Sequence, residues 1–117
     1  MDAHSEKLLL NILASVRIAA LGTMRDEAPR VSLVAFVPAK DFSAYYVHVS
    51  RLAQHTVDMQ KNKQVSLLIA ETDDGRADPQ TLARLSIRAA AEFMENGEPG
   101  YAPVKAWYIE RFPQSEP

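Results

Sequence analysis

A stretch of small and β-compatible residues, 17–24, and an alternating stretch, 30–37, are separated only by Arg25-Asp26-Glu27-Ala28-Pro29. A link this short closes an antiparallel hairpin, whereas parallel neighbours need a crossover of about a dozen residues or more. A doubly wound parallel sheet is therefore excluded at the start. Along residues 30–37, Val31, Leu33, Ala35 and Val37 share one face, and Arg30, Ser32, Val34 and Phe36 the other. Residues 44–50 alternate as cleanly, with Tyr45, Val47 and Val49 opposite Ala44, Tyr46, His48 and Ser50. Two more strands are predicted over 64–70 and 82–93, joined by the polar loop 71–79. In the longer one, Leu85, Ile87, Ala89, Ala91 and Phe93 point one way, and Arg84, Ser86, Arg88 and Glu92 the other.

Helical spacing occupies the remaining segments. Leu8, Leu9, Ile12 and Leu13 predict a helix over about 5–16 with Ser5 as its N-cap. Residues 51–63 predict a second, with Leu52, Thr56 and Met59 on one side and Gln54, Asp58 and Lys61 turned elsewhere. Residues 101–112 predict a third, burying Tyr101, Val104, Tyr108 and Trp107, with Pro103 in its first turn. The order helix, three strands, helix, two strands, helix predicts a mainly β domain: a small antiparallel barrel or curved sheet with flanking helices. At 117 residues the chain holds one core, so 1–117 is read as a single domain.

Composition narrows the function classes. With no cysteine, disulfides, thiolate metal sites and thiol nucleophiles are excluded. Thirteen Lys+Arg against 15 Asp+Glu give no bulk attraction for nucleic acid. The longest apolar run, residues 31–39, is under half of the roughly 20 residues a membrane span needs. Acidic residues near the start replace the basic region of a secretory signal, so the cytoplasm is expected. His4, His48 and His55 fit no zinc spacing, and no metal is expected.

The run Tyr46-Val47-His48-Val49-Ser50-Arg51-Leu52-Ala53-Gln54-His55-Thr56 carries the chemistry, because a strand ends in Ser-Arg where a helix is predicted to begin. First-turn N–H groups, the Ser50 hydroxyl and the Arg51 guanidinium would converge on a terminal phosphate, with Arg30 supplying a second charge. The alternative is that Ser50 only caps the helix and Arg51 is solvated. His48 is either an acid–base group or a hydrogen-bonded structural histidine. His55 either approaches the site or packs under the helix. Arg84 and Arg88, at strand spacing, either receive an acidic group or lie on a solvated exterior.

Five ordered blocks resemble the pyridoxamine 5′-phosphate oxidase-like split β-barrels that bind flavin mononucleotide (FMN), in particular their haem-utilisation branch. The blocks are Ile18-Ala19-Ala20-Leu21-Gly22-Thr23, Pro29-Arg30-Val31-Ser32-Leu33-Val34, Val47 through Thr56, Val65-Ser66-Leu67-Leu68-Ile69 and Ala83-Arg84-Leu85-Ser86-Ile87. The resemblance implies a homodimeric split barrel with FMN at the dimer interface. It implies a phosphate clamp of Arg30, Ser50 and Arg51, the strand Val31, Ser32, Leu33 along the isoalloxazine ring, and Tyr46, Val47, His48 and Val49 as the adjoining wall.

Leu52 stands where the oxidase has a lysine, and Leu85 or Arg84 near its flavin-contacting glutamine, so oxidation of pyridoxamine phosphate is not expected. The family continues beyond the Arg111-Phe112-Pro113 region into a further strand, which 1–117 lacks either as a minimal barrel or as part of a longer chain. Haem is accordingly less expected than FMN. Two functions follow from the resemblance: a flavin-dependent oxidoreductase on an unidentified small molecule, or a non-catalytic flavin- or haem-binding protein.

Overall fold

The computed structural model describes residues 2–50 and 52–115. Helix α1 spans Ala3–Ser15, and its N-cap is Asp2, whose carboxylate accepts from the Ser5 N–H at 2.7 Å. The expected cap at Ser5 is thus corrected: the acid three residues earlier is the acceptor, and Ser5 lies in the first turn. At the other end, the Arg111 guanidinium donates to the carbonyls of Leu13 (3.3 Å) and Val16 (2.5 Å), satisfying acceptors that α1 leaves open.

Strand β1 (Ile18–Arg25) pairs antiparallel with β2 (Ala28–Ala35), so Ala28 and Pro29 belong to the strand rather than to the loop. The turn shrinks to Asp26 and Glu27, and Asp26 takes φ 57°, a left-handed conformation that Asp tolerates better than a β-branched residue. Two short strands follow, β3 (Val37–Pro38) and β4 (Tyr45–Tyr46), paired with each other. The strand expected over 44–50 is therefore cut to two residues. Its alternation persists beyond the ladder, with Tyr45, Val47 and Val49 all packed against the core.

Helix α2 covers Gln54–Lys61, three residues later than expected, with Ala53 as an N-cap that makes no side-chain bond. Its faces also differ from expectation. Leu52 is 94% exposed, because it precedes the helix, whereas Asp58 is buried beside Thr56 and Met59. Strands β5 (Gln64–Ala70) and β6 (Arg84–Ala90) pair antiparallel, and the latter is shorter at both ends than 82–93. Helix α3 (Tyr101–Arg111) leaves Tyr101, Val104, Trp107 and Tyr108 half-buried rather than buried, and the Trp107 indole donates to the Pro38 carbonyl at 2.8 Å.

The main sheet runs β2-β1-β5-β6 and the second sheet is the β3-β4 pair. One face of the main sheet is the core: Ala19, Leu21, Val34, Phe36, Leu67 and Ile69 close against Ile12, Leu13 and Val16 of the α1 region and against Met59 of α2. Register places Ile18, Ala20 and Gly22 on the opposite face with Val31, Leu33 and Leu68. There Val31 is 76% and Leu33 71% exposed, beside exposed Ile18 and Leu68. Exposed apolar residues around Ala20 and Gly22, where little or no side chain stands up from the sheet, make a patch that no other described residue covers. Arg84 and Arg88 are exposed on the same face, on β6.

Candidate functional site

Strand β2 ends the main sheet, and its edge can be read from one hydrogen bond. The Phe36 N–H donates to the Arg17 carbonyl at 3.1 Å, one step beyond the Ile18–Ala35 pair in the β1–β2 register. In an antiparallel pair, alternate residues turn both backbone groups to the partner. Arg30, Ser32 and Val34 therefore bond to β1, while Val31, Leu33 and Ala35 direct N–H and C=O outward. Pro29 falls in the outward phase, where a missing N–H costs no ladder bond. The open edge thus offers donors and acceptors at Val31 and Leu33 between two exposed apolar side chains.

The side chains of Arg30 and Ser32 lie on the inner face, opposite Thr23 and Leu21. The Thr23 and Ser32 hydroxyls are buried and make no hydrogen bond in the protein. Unpaired buried hydroxyls are uncommon, and two on diagonally adjacent positions mark this end of the sheet as polar ground.

Next to it stands α2. Asp58 is 2% exposed, and its carboxylate accepts from Arg25 Nε (3.3 Å), Arg25 Nη2 (3.4 Å) and Gln54 Nε2 (3.0 Å). The Gln54 bond holds the carboxyl below its ordinary value of 3.8; burial opposes this, and the charges of Arg25 and Arg30 add to the lowering. Arg30 shares the inner face with Arg25 as its diagonal neighbour in the β1–β2 register. Because the folded carboxyl titrates below the unfolded one, its stabilisation is present above pH 3.8 and is lost as pH falls through the depressed value. Urea unfolding of wild type and Asp58→Asn should accordingly differ at pH 7 and at pH 5 and converge only as pH falls below the depressed value.

Ser50 joins the same helix. Its hydroxyl accepts from the Leu52 N–H at 3.1 Å, and its carbonyl accepts from the buried Thr56 hydroxyl at 2.6 Å. Ser50 thus caps a turn before α2, not α2 itself, while keeping its own hydroxyl proton available. Arg51 lies outside the described residues. Through Thr56 and Asp58, α2 ties the Ser50 turn to the end of the sheet that carries Arg30.

Along the preceding segment, Tyr46 pairs with Val37 and is half-buried with Val47 and Val49, whereas His48 is exposed. The His48 ring lies edge-on to Tyr108 with centroids 6.0 Å apart. Burial raises the Tyr108 phenol, and a hydrogen bond with the His48 backbone opposes that shift. His55 is half-buried on α2, and Arg84 and Arg88 lie across the sheet on its outer face, away from the inner-face cluster. Sequence reasoning missed Arg25, Asp58, Gln54, Thr23 and Tyr108. Only strand alternation, which puts Arg25 in phase with Thr23, could have flagged one of them. Among the described residues no cluster of His, Asp or Glu could hold a metal ion, and no helix is long and apolar enough to cross a membrane.

Solved structures share this architecture. HutZ, the haem storage protein from Vibrio cholerae, matches with 26% identity and a TM-score of 0.81, over 92% of this chain and 75% of its own. ChuZ from Campylobacter jejuni matches with 20% identity and a TM-score of 0.80, over 99% of this chain and 47% of its own. An FAD-binding protein from Mesorhizobium loti has 15% identity and a TM-score of 0.71, over 97% of this chain and 75% of its own. No curated protein sequence matches the chain. The sequence profile described as pyridoxamine 5′-phosphate oxidase matches residues 5–117. With antiparallel sheets, flanking helices and a profile match over nearly its whole length, the chain belongs to the pyridoxamine 5′-phosphate oxidase family of split β-barrels.

Proposed function

We propose that this protein binds FMN along the open edge of β2 and acts as a flavin-dependent oxidoreductase on a small molecule. The observation that carries the reading is the outward phase of Val31 and Leu33 on an edge strand whose next inward residues are Arg30 and Ser32. A flat ring with polar atoms on its rim needs backbone donors and acceptors in a row, and apolar surface against its faces. The residues present fit such a group: the edge supplies the row, Val31 and Leu33 the apolar surface, and the unpaired hydroxyls of Ser32 and Thr23 lie on the adjoining polar ground.

A terminal phosphate would be held by the Arg30 guanidinium and the Ser50 hydroxyl, with Arg51 as the further cation. Tyr46, Val47, His48 and Val49 would exclude water from one side of the ring. Bound flavin supplies hydride or electron exchange with the substrate. The chain would contribute binding and orientation, with His48 as the candidate group to hold or release a proton beside the ring.

The reading includes a homodimer. The exposed outer face around Ile18, Val31, Leu33 and Leu68 is the surface a second copy would cover, which would bring that copy beside the β2 edge. Leu68→Glu, on this face but off β2, should elute as a monomer in size-exclusion chromatography while the wild type elutes as a dimer, with unchanged circular dichroism.

A second reading, haem binding without turnover, is favoured by the 26% identity to HutZ. An absorbance scan of the purified protein, followed by reduction with a nicotinamide donor and reoxidation, separates the two. Flavin bands that bleach and recover with turnover support the proposal. A Soret band with no flavin uptake would replace it with the haem reading.

A further inference from the structure

Arg25 and Asp58 form an ion pair beside the proposed phosphate site, buried on the carboxylate side, and the charge around it is uneven. One carboxylate is paired with the Arg25 guanidinium, and a second arginine, Arg30, stands next to Arg25 in the strand register. Register sets Thr23 opposite Arg30 and Arg25 opposite Ala28, so Arg25 and Arg30 share the inner face as diagonal neighbours on adjacent strands. Asp58 reaches this face from α2 at 2% exposure, with Arg25 across both of its oxygens and Gln54 on one of them. Arg25 itself remains 38% exposed.

A buried carboxylate without a cation is costly, so Asp58 takes whichever guanidinium can reach it. With Arg25 in place, both oxygens are occupied and the surplus positive charge is left on Arg30. We infer that Arg25 is a positioning residue: by occupying Asp58, it prevents the carboxylate from capturing Arg30 and leaves the Arg30 fork free for the phosphate of a flavin mononucleotide. This rests on the FMN reading above and extends it to two residues that touch neither ring nor phosphate.

The inference assigns opposite consequences to the two halves of one ion pair. In Arg25→Gln the carboxylate loses its partner and draws Arg30 inward, so FMN affinity falls about tenfold or more while riboflavin affinity is unchanged. In Asp58→Asn nothing competes for Arg30, and FMN affinity stays at the wild-type value or rises. Most decisively, Arg25→Gln combined with Asp58→Asn removes both captor and blocker and restores the affinity that Arg25→Gln lost. A pair that merely clips α2 to the hairpin predicts the reverse pattern, in which each single variant weakens both flavins and the double variant is no better.

The experiment is titration of FMN and of riboflavin into wild type, both single variants and the double variant, with thermal unfolding of each. Rescue of FMN binding in the double variant supports the inference. Equal FMN affinity in wild type and Arg25→Gln, or no rescue in a folded double variant, overturns it. If Arg25→Gln does not fold, Asp58→Asn still decides: a fall in its FMN affinity, with riboflavin unchanged, contradicts the blocking role. Should wild type bind FMN no better than riboflavin, the phosphate reading fails first and this inference with it, a result distinct from an intact preference that ignores Arg25.

Discussion

Replacing Arg30 and Arg51 together by alanine should lower FMN affinity by at least about 100-fold and leave riboflavin affinity nearly untouched. Each charge-assisted hydrogen bond to phosphate contributes about 1.5–3 kcal/mol, and removal of two cations from one anion compounds the loss. Riboflavin lacks the phosphate but keeps the ring, so it reports on the β2 edge alone. Arg30 is exposed and its side chain fills no core space, so the fold should survive, with an unchanged urea midpoint as the control. An unchanged FMN affinity in the folded double variant would remove these arginines from the site.

The second large effect is on stability. Phe36 is fully buried where β2 gives way to β3, and its ring touches both halves of the structure: Tyr45 at 6.3 Å between centroids, and the Arg111 guanidinium 5.2 Å above its face. Phe36→Ala should cost about 3–5 kcal/mol, since truncating a core aromatic removes its transfer energy and leaves a cavity. That is a large share of the roughly 5–15 kcal/mol that holds a domain of this size together. The Arg111 bonds to the end of α1 depend on the same packing, so α1 should loosen with it. Differential scanning calorimetry of wild type and Phe36→Ala tests this, and a shift of only a degree or two would contradict the placement of Phe36 at the centre of the core.

What could be read in the sequence was what depends on short spacing. The β1–β2 hairpin, the existence of β5 and β6 and the three helices follow from alternation and 3.6-residue periodicity, which are local. Alternation also told correctly which side of the chain Tyr45, Val47 and Val49 face. It could not tell whether a neighbouring strand lies alongside, and beyond Tyr46 the ladder ends, so the expected strand over 44–50 keeps its faces but not its pairing. The start of α2 was misjudged for a related reason. Ser50 has the chemistry of a cap, and it does cap a turn, but the chain makes that turn before the helix begins at Gln54.

Asp58 marks the limit of such reading. An acid in the middle of a short helix normally faces water, and it is the arrival of Arg25, 33 residues earlier in the chain, together with the Gln54 amide, that makes its burial tolerable. The polar end of the site was therefore half visible: Arg30 and Ser50 by residue type and by the family resemblance, Arg25 and Asp58 only once the chain had folded. The exposed outer face was legible only through the resemblance, which puts Val31 and Leu33 along a ring at a dimer interface; by pattern alone Val31, Leu33 and Leu68 read as core residues, and nothing local says that this face is uncovered within one chain.

The most direct test is a pair of titrations on the wild-type protein, FMN against riboflavin, followed by isothermal calorimetry at constant salt. The account predicts that both bind, because both carry the ring that the β2 edge receives, and that FMN binds at least tenfold more tightly, because only it carries the phosphate that Arg30 receives. Equal affinity for the two, or no uptake of either, would contradict it.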